Sequence, residues 1–379
     1  MLPYGRQWID DADVDAVVEV LRSDWLTTGP KVAGFETEFA RVVGAKHAVA
    51  VSSGTAALHA AMYAADIKAG DEVIVPPMTF AATANCVLYQ DGTVVFADVQ
   101  HDTLLLDPQK VLDAATGRTR AVIAVDYTGQ PADLDDLAAI ARERGWIFIE
   151  DAAHSLGASY RDRLVGSIAD LTTFSLHPVK QITAGEGGVV TTNDDQLALR
   201  LRTFRNHGIS TDHRQREQQG SWYYEMIDLG YNYRLTDFQC ALGCSQLRRL
   251  SEWVGRRGEI AARYDEAFRT LPLDPLRMKE DRTSSRHLYV VRLRLEELRA
   301  DRAAVFRALR DSGLGANVHY IPVHYHPYYQ RLGYQKGAYP ESERAYERLI
   351  TLPLYPRLTD EDVSRVIDVV SNVLSRFRR

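Results

Sequence analysis

Residues 172–188, TTFSLHPVKQITAGEGG, place a single lysine, Lys180, between a short apolar run of strand character and a glycine-rich turn. Before it, WIFIEDAAH (146–154) is an apolar run that ends on Asp151, and AVAVSSGTAALHAAM (48–62) passes through small residues into an alanine-rich helical pattern. The same rhythm fills residues 47–250. DEVIVPP precedes TFAATANCVLYQ, TVVFADV follows, and RAVIAVDYTG leads into DLDDLAAIARERG. Short runs apolar on both faces, alternating with helical crossovers, predict an α/β chain with a mainly parallel sheet covered by helices.

Outside that region the pattern changes. Asp10 stands as a cap before a helix carrying Val14, Val17, Val18 and Leu21 on one stripe. Residues 251–270 read as helix, HLYVVRLRL alternates like a half-exposed strand, and DRAAVFRALRDSG is a helix ending at Gly313. ANVHYIPVHY (316–325) is a further strand candidate, and Thr359-Asp360-Glu361-Asp362 opens a final amphipathic helix. The expected organisation is a large domain over residues 1–248 and a smaller α+β domain over 249–379. The polar stretch STDHRQREQQGS, Ser210 to Ser221, reads as a long loop.

With 379 residues, 45% of them hydrophobic, the chain can bury a sizeable core. A formal charge of −6 argues against nucleic acid or an anionic membrane as partner. No apolar leader or membrane-spanning run is evident, so a cytoplasmic location is expected. The three cysteines, Cys86, Cys240 and Cys244, make no disulfide framework. Cys240 and Cys244 share a helix face without further ligands nearby, so no metal is expected there.

Three elements carry chemistry. In SSGTAA, free N–H groups at a helix start and the Ser53 and Thr55 hydroxyls can hold a phosphate, and Gly54 permits close approach. An ordinary serine-capped turn would look the same. Asp151, at the end of a buried strand, needs a cationic partner or serves as a helix cap. Lys180 has the setting of an amine that sheds its proton readily, as Schiff-base formation requires. Ser175 can add a phosphate hydrogen bond, and His154 either reaches a ring or packs. His177 can serve catalysis, but beside Pro178 it reads first as a packed histidine. Phe80 can lie against a heteroaromatic ring or belong to the core, and Asn232 and Arg234 read by themselves as loop residues. Amine, acid and phosphate turn together suit pyridoxal phosphate, whose ring acts as an electron sink when its nitrogen stays protonated.

Ordered blocks along nearly the whole chain resemble one family: PYGRQWID, LTTGP, SSGTAALHA, PPMTFAATAN, EDAAHSLGA, FSLHPVKQITAGEGG, GYNYRL and ALGCSQLRRL. They are similar to the DegT-type nucleotide-sugar aminotransferases, pyridoxal-phosphate enzymes of the aspartate-aminotransferase fold (fold type I). The resemblance implies that Lys180 carries the cofactor and that Asp151 pairs with its pyridine nitrogen. Ser53, Gly54, Thr55 and Ser175 would surround the phosphate and Phe80 would cover the ring. Asn232 would come from the other subunit of a homodimer. His154 departs from the pattern, since many members have glutamine there.

HPVKQITAGEGG and the WYYEM segment before GYNYRL are most similar to the branch on the route to pseudaminic acid. That branch moves an amino group from L-glutamate to a UDP-linked 4-keto-6-deoxy-N-acetyl hexosamine. By the same resemblance Tyr4, the turn of Trp25, Leu26 and Thr27, Arg234, and His319 and Tyr320 would contact the sugar nucleotide. Other UDP- or dTDP-linked keto sugars remain open, as does a non-catalytic sensor of cofactor or sugar. The dehydratase branch of the fold carries histidine in place of the lysine, and Lys180 counts against it.

Overall fold

The computed structural model describes residues 1–211, 216 and 220–379, so most of the loop expected from Ser210 to Ser221 lies outside the described residues. Its centre is a seven-stranded sheet of β1 (His47–Val51), β2 (Glu72–Val75), β3 (Thr93–Phe96), β4 (Thr119–Val125), β5 (Ile147–Asp151), β6 (Leu171–Ser175) and β7 (Gly188–Thr192). The spatial order is β1-β7-β6-β5-β4-β2-β3. All neighbouring pairs are parallel except those of β7, which runs antiparallel between β1 and β6. Every residue of β2 and β7 is buried, as strands covered on both faces require.

Helices cover the sheet. α1 (Asp11–Leu21) begins with the expected Asp10 cap, which accepts from the Asp13 backbone N–H at 3.0 Å while Asp13 reciprocates. Pro30 starts α2 (Pro30–Val43), and Ser53 caps α3 (Gly54–Ala64) by accepting from Ala56 N–H at 3.0 Å. α4 (Ala81–Leu88) follows the Phe80 turn, α5 (Leu134–Arg144) crosses from β4 to β5, and α6 (Asp195–Phe204) follows β7. α7 (Asp237–Leu247) packs on α1 and α2; it buries Cys240 and leaves Cys244 partly exposed.

The C-terminal part builds a second, antiparallel sheet from β8 (Leu273–Pro275), β9 (Tyr289–Leu293) and β10 (Leu349–Leu352), with β9 central. Tyr289, Val291 and Leu293 pack with Ile260 and Tyr264 of α8 (Leu250–Ala267), and with Val363 and Val366 of α10 (Asp360–Phe377). α9 (Arg302–Asp311) closes the same core, and the Thr359 cap of α10 is present. Two expectations need correction here. HLYVVRLRL is not half-exposed, because Leu288 and Val290 pack on Met78, Leu104 and Tyr127 of the larger unit. Residues 316–325 form no strand: Asn317 makes one isolated bridge to Thr351, and Pro322 offers no N–H to continue a ladder. The N-terminal Leu2–Pro3 pairs in parallel with Leu314–Gly315, bringing the start of the chain beside this second sheet. No helix among the described residues is long and apolar enough to cross a membrane.

Candidate active site

A cavity of about 530 Å³ opens at the C-terminal ends of β5 and β6, where open α/β sheets receive ligands. It is bounded on the far side by the irregular segment 317–320. Ser53, Gly54, Thr55, Phe80, Asp151, His154, Ser175 and Lys180 all line it, and so do Tyr4, His319 and Tyr320.

Backbone bonds hold the lysine loop in place. Leu176 N–H donates to Gly187 O at 2.8 Å, Leu176 O accepts from Ala184 N–H at 3.0 Å, and Lys180 N–H donates to His177 O at 2.9 Å. Next to Lys180, Gln181 Nε2 donates to His154 O and to Ser285 Oγ, the latter at 2.8 Å. Ser285 Oγ also donates to His154 O at 2.6 Å, so the lysine loop and the strand end after Asp151 are tied together. The phosphate-sized turn is equally constrained. Gly188 is in register with both Val51 and Ser175, and a Cβ there would fall 2.3 Å from Ser53 O. A Cβ on Gly54 would fall 2.9 Å from Ser175 Cβ. The small residues therefore keep open a concave backbone surface at the start of α3.

The acid and the amine have complementary electrostatics. Asp151 is buried, and no ion pair to it forms among the described residues. Its Oδ2 accepts from Thr83 Oγ1 at 2.7 Å and its Oδ1 from Ala153 N–H at 3.2 Å. Burial raises its pKa against these hydrogen bonds and the nearby Lys180 charge. Lost hydration lowers the Lys180 pKa to about 8 against the pull of Asp151. Such an amine is unprotonated in about a tenth of molecules at pH 7, far more than an ordinary lysine, and that fraction can act as a nucleophile.

Across the cavity, His154 Nε2 and the Tyr320 hydroxyl are hydrogen-bonded at 3.0 Å, with the rings nearly parallel. Burial drives His154 and His287 well below the usual histidine range and His319 to about 4, so all three are neutral. Tyr4 packs edge-on against His319 with ring centroids 5.0 Å apart. Phe80 is 59% exposed, which removes it from the core and makes it a wall of the cavity.

Five expected residues are not in this cavity. Leu26 O accepts from Asp237 N–H at 3.0 Å, Thr27 bridges Thr236, and Trp25 is exposed beside them. Asn232 bridges Asn206, and Arg234 Nη1 donates to Asn206 Oδ1 at 2.7 Å. These residues form a neighbouring rim, joined to the phosphate turn where Ser52 N–H donates to Tyr233 O at 2.8 Å. His177 requires correction: it is exposed and lines the cavity, because the loop turns outward before Lys180. Sequence reasoning also missed Thr79, Thr83, Glu186, His287 and Asn317. Only Thr79 and Thr83 left a signal, a four-residue spacing that puts both hydroxyls on one side of a turn.

The sequence profile of the DegT/DnrJ/EryC1/StrS aminotransferase family matches residues 7–371. The chain belongs to this family. The Bacillus subtilis spore coat polysaccharide biosynthesis protein SpsC is 44% identical over 98% of this chain and 97% of its own length. Among solved structures, Helicobacter pylori PseC, an aminotransferase involved in the biosynthesis of pseudoaminic acid, superposes with a TM-score of 0.92 at 31% identity, covering 99% of this chain and 100% of its own. Streptococcus pneumoniae Spr1654, assigned as a sugar aminotransferase, gives 0.93 at 33% identity in its PMP form, with 99% and 100% covered, and is also known in a PLP form. The protein is thus a fold type I, pyridoxal-phosphate-dependent sugar aminotransferase. Its own residues fit that cofactor: a buried acid awaiting a cation, an amine of lowered pKa, and a cradle that a Cβ would fill.

Proposed function

We propose that this DegT-family chain transfers the amino group of L-glutamate to UDP-2-acetamido-2,6-dideoxy-L-arabino-hexos-4-ulose, giving UDP-4-amino-4,6-dideoxy-N-acetyl-β-L-altrosamine. The observation that carries the chemistry is the meeting in one cavity of Lys180 with a buried Asp151 that forms no ion pair among the described residues. Pyridoxal phosphate supplies an aldehyde for imine exchange and a ring that takes up the electron pair left when a carbon loses its proton. Ser53, Thr55 and Ser175, with the N–H groups around Gly54, bind the phosphate. Asp151 would hold the ring nitrogen protonated, and Phe80 and His154, which line the same cavity, would contact the ring. With the cofactor bound, the Lys180 amine would take the proton from the glutamate α-carbon and later deliver one at carbon four of the sugar. Tyr4, His319 and Tyr320 orient the sugar from the opposite wall.

The active unit is a homodimer in which Asn232 completes the partner subunit's cavity. Exposed Trp25, Leu26, Trp222, Met226, Ile227 and Leu229, beside Asn232, support this, since single chains rarely leave so much apolar surface bare. Trp25, Leu26, Thr27 and Arg234 then face the nucleotide sugar at that boundary. Mixing Lys180→Ala with Asn232→Ala chains is expected to restore activity in one of the two sites of each hybrid; no rescue would overturn the shared site. Residues 1–248 form the cofactor-binding domain in this reading and 249–379 the smaller one, each with its own core.

Mass spectrometry of the protein incubated with L-glutamate and a panel of UDP- and dTDP-linked 4-keto-6-deoxy sugars tests the substrate. Amination confined to the UDP-N-acetyl sugar, with 2-oxoglutarate formed in equal amount, is the expected result. A second reading, the same chemistry on another nucleotide-linked keto sugar, is favoured by the higher identity to SpsC (44%) than to PseC (31%). Amination of a different member of the panel would establish it.

A further inference from the structure

Asp151 is held by a short chain of hydroxyls that belongs to neither the lysine loop nor the phosphate turn. Thr83 Oγ1 donates to Asp151 Oδ2 at 2.7 Å, which commits its only proton. Thr79 Oγ1, 2.8 Å away, must then be the donor to Thr83 Oγ1. Both threonines are buried, at 2% and 1% exposure, and both belong to the turn and first residues around α4 that also carry Phe80. Cys86 Sγ donates to Thr83 O at 3.2 Å and fixes that turn from below. The other carboxylate oxygen has only a long bond from Ala153 N–H, at 3.2 Å. Among the described residues, Thr83 is therefore the one side chain hydrogen-bonded to this acid.

We infer that Thr83, oriented by Thr79, is a positioning residue that keeps Asp151 ionised and aimed at the ring nitrogen of the cofactor. The inference rests on the reading of Asp151 given above. In a buried site, a donor committed to a carboxylate stabilises its charged form, and a chain of two donors strengthens the second bond. Without it the carboxylate becomes the more basic partner, draws the shared proton from the ring nitrogen, and turns slightly in its socket. The ring then accepts electrons less well. The Phe80 wall and the threonines that hold the acid share one turn, so ring face and ring nitrogen are registered to each other through that backbone.

Thr83→Val keeps the shape and removes the donor; Thr83→Ser keeps the donor and removes a methyl group. With holoenzyme, Thr83→Val is expected to slow the half-reaction with L-glutamate on the order of tenfold with little change in KM. The absorbance of the bound cofactor should also change at a higher pH than in the parent, and Thr83→Ser should restore both. Parent-like rates and an unmoved absorbance midpoint in Thr83→Val, alongside a strongly impaired Asp151→Asn, would overturn the role of Thr83 and leave that of Asp151 intact. Parent-like behaviour of Asp151→Asn would overturn both. Equal impairment of the valine and serine variants would assign the effect to packing and also sink the inference.

Discussion

The Tyr320 hydroxyl and His154 Nε2 are hydrogen-bonded at 3.0 Å across the cavity, joining the segment before Pro322 to the turn after Asp151. Both groups are removed from water, which keeps the imidazole neutral and the phenol protonated. Tyr320→Phe leaves a buried ring nitrogen without its partner. It should lower stability by about 1–3 kcal/mol, read as a lower thermal midpoint. Adding His154→Phe to that variant should recover part of the loss, because the orphaned nitrogen is then gone.

Lys180 sets a pH dependence whose sign follows from its environment. Its amine has a pKa of about 8 in the folded chain against an ordinary 10.5, so the unfolded chain binds more protons between those values. Stability of the cofactor-free protein attributable to this group therefore rises with pH from about 8 to 10.5. The rate at which cofactor-free protein takes up pyridoxal phosphate should rise through pH 8 and level off above it, followed by absorbance. Lys180→Ala should abolish that phase and all turnover.

Gly188→Ala tests the cradle without removing any polar group. The new methyl carbon would sit 2.3 Å from Ser53 O and must displace the turn. Strain of about 1–3 kcal/mol is expected, together with a matching loss of cofactor affinity measured by equilibrium dialysis.

Glu150, next to Asp151 on β5, and Asp126, just after β4, are two buried carboxyls. Burial raises the pKa of both, Asp126 to about 6, and the charge of Asp126 raises Glu150 further. Asp126 also accepts from Ala132 N–H at 2.9 Å and from Ser155 Oγ, and Glu150 from Thr172 Oγ1 at 3.0 Å. Folding takes up protons here, so this pair favours the native state at low pH and loses that contribution as pH rises through about 6. Glu150→Gln should raise the unfolding free energy at pH 8 on the order of 1 to 3 kcal/mol, with the gain shrinking towards pH 4 in denaturant titrations.

The local parts of the site were legible because each is written in contiguous residues. An apolar strand ending on Asp151, the Ser53–Thr55 cap and the Lys180 loop depend on neighbours in sequence, and all three meet where expected. What escaped notice depends on distant packing. His177 looked buried beside Pro178, yet the bonds from Leu176 to Ala184 and Gly187 turn it outward. HLYVVRLRL alternates weakly, but a second layer from Met78 and Leu104 covers its other face. Thr83 has no meaning until β5 delivers Asp151 beside it. Trp25 and Asn232 are exposed on a rim beside the cavity, set there by the distant contacts of Leu26 with Asp237 and of Asn232 with Asn206.

The reversed strand β7 has a consequence for synthesis on the ribosome. Among the described residues β1 borders the sheet and has β7 as its one strand neighbour, although some 140 residues separate them in the chain. Ser53 emerges early from the exit tunnel but gains its seat against Ser175 only when Gly188–Thr192 slides in between. A nascent chain halted before that strand already carries Lys180 and Asp151, yet has no finished pocket with which to capture the vitamin-derived aldehyde. Loading is thereby deferred until the last rung of the sheet is laid.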